Sequence, residues 1–234
     1  MITDSFRNDL VFFIEQIELD DPFSLSRWGD GELKILQGRP ITARVDNWSF
    51  DPDKHSWLSE WLMEAYKYEH KDYYKGISCP CCDPSASDWY RSNIHKNLTW
   101  ANIFVNSNFP YFQKHFWEAI NKSKREIILV ANEKLDELNI PFTPHDIIRI
   151  GYDDAFNQKR CIDIIRCCKS YVFQSDKIFL FAAGPLSNLL AFELQFANRD
   201  NFYIDIGSVL NNAIRPNSRD YLAGGDDLRK TCIW

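Results

Sequence analysis

The stretch KIFLFAAGPLSNLLAFELQFANRDNFYIDIGSVL, Lys177 to Leu210, decides the fold. An apolar run (177–185) stops at Gly184-Pro185, a helical pattern follows (186–199), and a second apolar run (202–210) closes the unit. Short apolar runs bounded by Gly and Pro read as buried strands, and recurrence at three and four residues reads as helix. Strand, helix and strand in that order make a βαβ unit.

The same pattern extends upstream. EIILVAN (126–132) and DIIRIG (146–151) read as strands, and residues 154–171 as a long amphipathic helix. The first half is less regular. Phe6, Leu10, Phe13, Ile14 and Ile17 stripe a helix over 5–19, and PFSLSR (22–27) is extended. GELKILQG starts a helix that Gly38 ends. PITARVD (40–46), KGISCP (75–80) and ANIFVN (101–106) read as strands, Trp57 to Tyr66 as a helix, and Pro110 opens another through Ile120. Strands alternating with helices at this spacing predict an α/β fold, a Rossmann-like and mainly parallel sheet flanked by helices. With no internal repeat, low-complexity tract or linker, residues 1–234 read as one domain. The tail after Arg215 carries turn signals and reads as a wrap over the domain or a cover for a site.

Composition narrows the function. The chain is 45% hydrophobic and 26% charged, an ordinary globular balance. Its net charge of −6 argues against a nucleic-acid footprint. No apolar run approaches the roughly 18–20 residues of a membrane span. The N-terminal stretch has acids on both sides of its apolar patch and no cleavage-site pattern, so it reads as a helix and not a signal peptide; the expected location is the cytoplasm, with a membrane-peripheral position or a homodimer left open by the aromatic surplus. Seven cysteines suit that compartment if reduced. In SCPCCDP the C-x-C-C spacing of Cys79, Cys81 and Cys82, with His70 and His95 in no pattern, favours buried free thiols shaping a turn at Pro80 over zinc. Cys161, Cys167 and Cys168 read as helix core.

In parallel α/β sheets ligands collect beyond the carboxyl ends of strands, and three stretches meet that description. In Arg27-Trp28-Gly29-Asp30-Gly31-Glu32, two carboxylates one residue apart in a turn can offer oxygens to Mg2+ or Mn2+. Gly29 and Gly31 permit close approach, and Arg27 can pair with a phosphate or with the acids. The alternative is a helix start, with Asp30 as cap and Glu32 in the first turn. In FAAGPLSN, backbone N–H groups from Gly184 through Pro185 to Ser187 offer a phosphate cradle, or simply a strand-to-helix turn. In YIDIGS, Asp205 ends a buried strand before Gly207, a costly place for a carboxylate without a task or an ion pair. GDGELK is not G-x-G-x-x-G, because Lys34 stands at the last glycine. H-E-x-x-H and G-x-S-x-G are absent, which lowers dehydrogenases, zinc proteases and serine hydrolases.

Taken together, SRWGDGELKILQGRPI (26–41), WANIFVNSNFPYF (100–112), IFLFAAGPLSNLLAFEL (178–194) and FYIDIGSVL (202–210) resemble the bacterial GT-D-fold glycosyltransferases. That family carries R-[FYW]-G-D-G-E near the N-terminus, a strand–Gly-Pro–helix unit and a late D-I-G, and the similarity spans roughly residues 22–210. It implies a GT-D-type fold and a metal-dependent transferase moving a sugar from a nucleotide-sugar, typically a UDP-sugar, to a glycan or glycoconjugate acceptor. The family's D-x-E falls on Asp30 and Glu32, serving Mn2+ or Mg2+ and the donor diphosphate. Arg27 and the Gly184–Ser187 amides would hold phosphates, Asn106 and Asn132 sugar hydroxyls. Asp205 would act as catalytic base, with Glu32 as the second choice. Where many relatives have His after D-I-G, this chain has Ser208. A binding module without activity and a metal-dependent phosphohydrolase are the competing readings.

Overall fold

A computed structural model describes residues 3, 5–43, 47–93, 96–173, 176–216, 218 and 230–234. Its centre is a seven-stranded sheet. The strands are β1 (Ser24–Trp28), β4 (Tyr73–Ile77), β5 (Leu98–Trp100), β6 (Glu126–Asn132), β7 (Asp146–Ile150), β8 (Lys177–Ala182) and β9 (Phe202–Asp205). They lie in the order β5-β4-β1-β9-β8-β6-β7, and every pairing is parallel. The expected α/β, Rossmann-like sheet is what the chain forms. A separate antiparallel hairpin joins β2 (Ile41–Ala43) to β3 (Trp48–Phe50).

Alternation along the strands builds a core on each face, because successive side chains of a strand point to opposite sides. Ile128, Val130, Phe179, Phe181 and Tyr203 join one buried cluster. Ile127, Leu129, Ile178, Leu180, Phe202 and Ile204 join the other. Helices α2 (Asp30–Leu36), α3 (Ser56–Lys67), α4 (Pro84–Asn93), α7 (Gln158–Val172) and α8 (Pro185–Ala197) contribute to the first. Helix α1 (Phe6–Glu18), through Phe6, Leu10, Phe13 and Ile17, contributes to the second. So does a helical run made of α5 (Phe109–Tyr111), a π-turn (Phe112–Phe116) and α6 (Trp117–Lys122). A short α9 (Asn211–Ile214) follows the sheet.

Several boundaries differ from the sequence reading. Residues 101–106 are no strand: β5 stops at Trp100, and the next residues turn, burying Ile103 and Phe104 from a loop. The 202–210 strand ends at Asp205, and Gly207–Leu210 coils as a 3-10 turn. The 177–185 strand ends at Ala182, since Pro185 already opens α8. The expected strand over 40–46 is only Ile41–Ala43, outside the main sheet, and 44–46 lie outside the described residues. The helix expected from 154 begins as a 3-10 turn (Asp154–Phe156). Most of the tail, and His95, lie outside the described residues. Of the cysteines read as buried, Cys81, Cys82 and Cys167 are exposed. No described helix is long and apolar enough to cross a membrane.

Candidate active site

A cavity of about 290 Å³ opens where β1 meets β9, with walls from the carboxyl ends of β1, β6, β7, β8 and β9. This is where the half of the sheet leading to β5 departs from the half leading to β7, the place such sheets bind ligands. Arg27, Gly29, Asp30, Gly31, Glu32, Gly184, Pro185, Asp205 and Gly207 all line it, together with Asn132 and Ser208.

The turn after β1 is held from three sides. The Tyr90 hydroxyl donates to the Gly29 carbonyl at 2.7 Å. Asn188 Nδ2, from α8, donates to the Arg27 carbonyl at 2.8 Å and to Ser26 Oγ at 3.1 Å. Within the turn, the Gly29 amide donates to Glu32 Oε2 at 3.0 Å. Glu32, in the first turn of α2, thus caps the helix while still facing the cavity; the N-cap is Gly29, and Asp30 is the first helical residue and not the cap that the helix-start reading made it. Asp30 is exposed at the mouth.

Asp205 anchors the opposite wall and is 5% exposed. Its Oδ2 accepts from the Arg27 amide at 3.2 Å and its Oδ1 from the Gly207 amide at 2.9 Å. Burial pushes its carboxyl up to about 6, against the pull of the Arg27 charge and the two amides. Burial likewise pushes Glu32 up to about 7, helped by the charges of Asp205 and Asp30. Glu32 thus feels the charges of both other carboxylates of the cavity.

The main-chain N–H of Arg27, not its guanidinium, meets Asp205. The guanidinium Nε donates to the Ala101 carbonyl, and the plane lies 5.6 Å from the Phe104 ring centre. Among the described residues, buried Nη1 has no hydrogen-bond partner. A buried N–H donor left unpaired is costly, so it marks a place for an acceptor. Gly207 makes room for it: its φ is +55°, and an added Cβ would lie 2.2 Å from Nη1. Gly184, at φ +56°, turns the chain from β8 into α8.

Two residues expected in the site, Ser187 and Asn106, do not line the cavity. Ser187 is fully buried; its Oγ accepts from the Ala183 amide at 3.1 Å and its own amide donates to the Gly184 carbonyl at 2.9 Å. The amide is spent on shaping the turn, while the hydroxyl also hydrogen-bonds the Asp205 carboxylate. Asn106 donates to the sulfur of Cys232 at 3.3 Å, away from the cavity. Asn132 does reach the cavity, although its Oδ1 accepts from the Lys134 amide at 3.0 Å in the role of turn former.

Sequence reasoning missed the aromatic wall. Trp48, carried in by the β2–β3 hairpin, stacks on Phe156 with ring centres 5.1 Å apart and planes at 24°. Tyr152 and Arg215 also line the cavity, the guanidinium 5.1 Å from the tyrosine ring centre, and Lys134 approaches the same ring at 5.4 Å. Only the tertiary fold brings these residues to the strand ends.

No protein-family model and no curated protein matches the chain. Solved structures do share its fold. The domain of unknown function 1792, described as having a distinct glycosyltransferase fold, superposes with a TM-score of 0.63 at 14% identity, over 86% of this chain and 78% of its own. Its selenomethionine-substituted form gives 0.61 at the same identity, again over 86% and 78%. A protein described as a new glycosyltransferase (DUF1792) from Streptococcus sanguinis gives 0.60 at 14% identity, over 86% and 81%. At this identity the likeness establishes a shared fold, a glycosyltransferase type of α/β architecture.

Proposed function

We propose that the chain is a metal-dependent glycosyltransferase of the hexosyl-transferring type, moving a sugar from a nucleotide-sugar, a UDP-sugar, to a glycan acceptor. The observation that carries this reading is Arg27, whose buried Nη1 has no hydrogen-bond partner among the described residues and which lines the same cavity as Asp30, Glu32 and Asp205. A cavity offering one buried cationic donor and three carboxylates suits an anion bridged to a cation better than either alone.

The donor set fits a hard divalent cation, since carboxylate oxygens suit Mn2+ or Mg2+. Asp30 and Glu32 would hold it, and its chemistry is to offset the negative charge gathered on the leaving nucleoside diphosphate. Arg27 donates to a phosphate oxygen through its buried guanidinium. The amino end of α8 beyond Gly184 adds its partial positive charge. Gly29, Gly31 and Gly207 keep the floor clear of side chains. Asp205 receives the proton of the attacking acceptor hydroxyl; a carboxylate has about four lone-pair directions, of which amides take two and the Ser187 hydroxyl a third. Its elevated proton affinity, near 6, suits a base working around neutrality. Glu32 is the alternative base if Asp30 alone holds the cation.

A panel of nucleotide-sugars incubated with Mn2+ or Mg2+ tests the proposal, read as slow release of intact nucleoside diphosphate. Release of inorganic phosphate instead would favour a phosphohydrolase. Tight nucleotide binding with no turnover of any donor, candidate acceptors present, would favour a binding module.

A further inference from the structure

We propose that Cys79, Cys81, Cys82 and Cys232 form a structural zinc site that ties the C-terminal segment to the rim of the cavity. The C-x-C-C stretch after β4 supplies three thiols. The fold brings a fourth from the other end of the chain, and the four sulfurs all lie within 4.8 Å of one another. The Cys79–Cys81, Cys79–Cys232, Cys81–Cys232, Cys82–Cys232 and Cys81–Cys82 separations are 3.2, 3.5, 3.4, 3.6 and 4.0 Å. A tetrahedral zinc ion with Zn–S bonds of about 2.3 Å holds its sulfurs about 3.8 Å apart. The observed spread brackets that edge length. It is also well beyond the roughly 2.05 Å of a disulfide.

The outer shell points the same way. Asn102 Nδ2 donates to Cys82 at 3.4 Å and Cys79 at 3.6 Å, Asn106 Nδ2 to Cys232 at 3.3 Å, and Trp234 Nε1 to Cys81 at 3.5 Å. Each sulfur thus receives an N–H bond. Such donors suit thiolates, whose charge they partly offset, and orient them for a metal. Asn106 adopts φ +54° to do so, in the left-handed region asparagine tolerates.

Four sulfur ligands leave no open position, which makes the site structural and not catalytic. Soft thiolates select zinc over Mn2+ or Mg2+, so this cluster and the carboxylates of the cavity answer to different ions. Its mechanical role follows from what it joins. Asn102 and Asn106 belong to the turn after β5, and that turn presents the Ala101 carbonyl that fixes Arg27. Cys232 belongs to the C-terminal segment, whose Trp234 packs edge-on to Trp100 at 4.6 Å and accepts from the Phe6 amide at 2.8 Å. An ion here braces the loop that holds the Arg27 guanidinium from a residue about 130 positions away.

Elemental analysis of the tag-free full-length chain, purified under reducing conditions, should find about one zinc per chain. Cobalt exchanged into wild-type protein should give the intense visible bands and near-ultraviolet charge transfer of a tetrahedral tetrathiolate. C82S, at the exposed edge, should lose the cobalt signature, whereas C167S should keep it. N106A, which spares every sulfur, should weaken zinc binding roughly tenfold in chelator competition. Wild-type protein that takes up no zinc, cobalt giving only the weak spectrum of an oxygen-ligated ion, or mass spectrometry showing Cys79–Cys232 or another pair as disulfide in the as-purified chain would overturn the proposal.

Discussion

Gly207 and Arg27 are geometrically interlocked: a Cβ on Gly207 would stand 2.2 Å from Arg27 Nη1, and the glycine's φ of +55° disfavours any other residue. The turn after β9 and the arginine near the end of β1 share one volume, and the same glycine amide fixes Asp205. The floor of the cavity is therefore a single unit drawn from both halves of the sheet.

That unit yields a double-mutant prediction. G207A should destabilise the fold by about 2–4 kcal/mol, with roughly 1–2 from the left-handed backbone and the rest from displacing the guanidinium. In an R27A background the second part disappears, leaving about 1–2 kcal/mol for G207A. Urea titration of the four proteins measures the coupling; strict additivity would mean Arg27 does not occupy that volume.

A second prediction concerns pH. Glu32 and Asp205 hold protons up to about 7 and about 6 in the fold, above the 4.5 and 3.8 expected when unfolded. A raised carboxyl pKa gives stability that is complete below the unfolded value and is lost as pH rises through the folded one. Without added divalent cation, Tm should fall between about pH 4 and 7, and E32Q should flatten the decline. Mn2+ should restore Tm at the alkaline end if the carboxylates receive it. A flat Tm would show the acids to be well solvated, and a Tm that climbs across this range would show the fold to favour their charged forms; either contradicts the burial.

The aromatic wall gives a third. If the donor's base lies against the Trp48–Phe156 pair, F156A should weaken UDP binding about tenfold, within the roughly 1–3 kcal/mol of a stacked base. Inorganic pyrophosphate, which has no base to stack, should bind F156A and wild type alike. Calorimetric titration with both ligands separates the two; equal losses would assign the pair to the cavity's shape alone.

How far the sequence carries such detail depends on the range of the interaction. Strands β6 and β8 are legible because both faces are buried, so Ile127 to Ala131 and Ile178 to Phe181 run apolar without a break. The acidic turn is legible because Arg27, Asp30 and Glu32 are neighbours in the chain. Residues 101–106 mislead for a related reason: Ile103, Phe104 and Val105 are apolar and buried, but as a loop whose carbonyl at Ala101 serves Arg27. Helix α4 passed unnoticed because PSASDWYRSN is largely polar, with only Ala86, Ser87 and Tyr90 buried. Ser187 reads as a ligand because amides at a helix start are often free, yet its amide donates to the Gly184 carbonyl and closes the turn. Trp48, Phe156 and Cys232 could not be found by local pattern at all. Their partners are distant in sequence, and only the closed sheet brings them together.

The most direct measurement is the initial rate of nucleoside diphosphate release from a nucleotide-sugar donor, with and without Mn2+, in wild type and in D30N. Asp30 is exposed at the cavity mouth, so its replacement should spare the fold. The expected result is cation-dependent release by wild type and a loss of roughly a hundredfold or more in D30N, the scale of removing a main electrostatic contact to the leaving group. Release that is indifferent to the cation, and unchanged in D30N, would contradict the assignment of this cavity to metal-assisted glycosyl transfer.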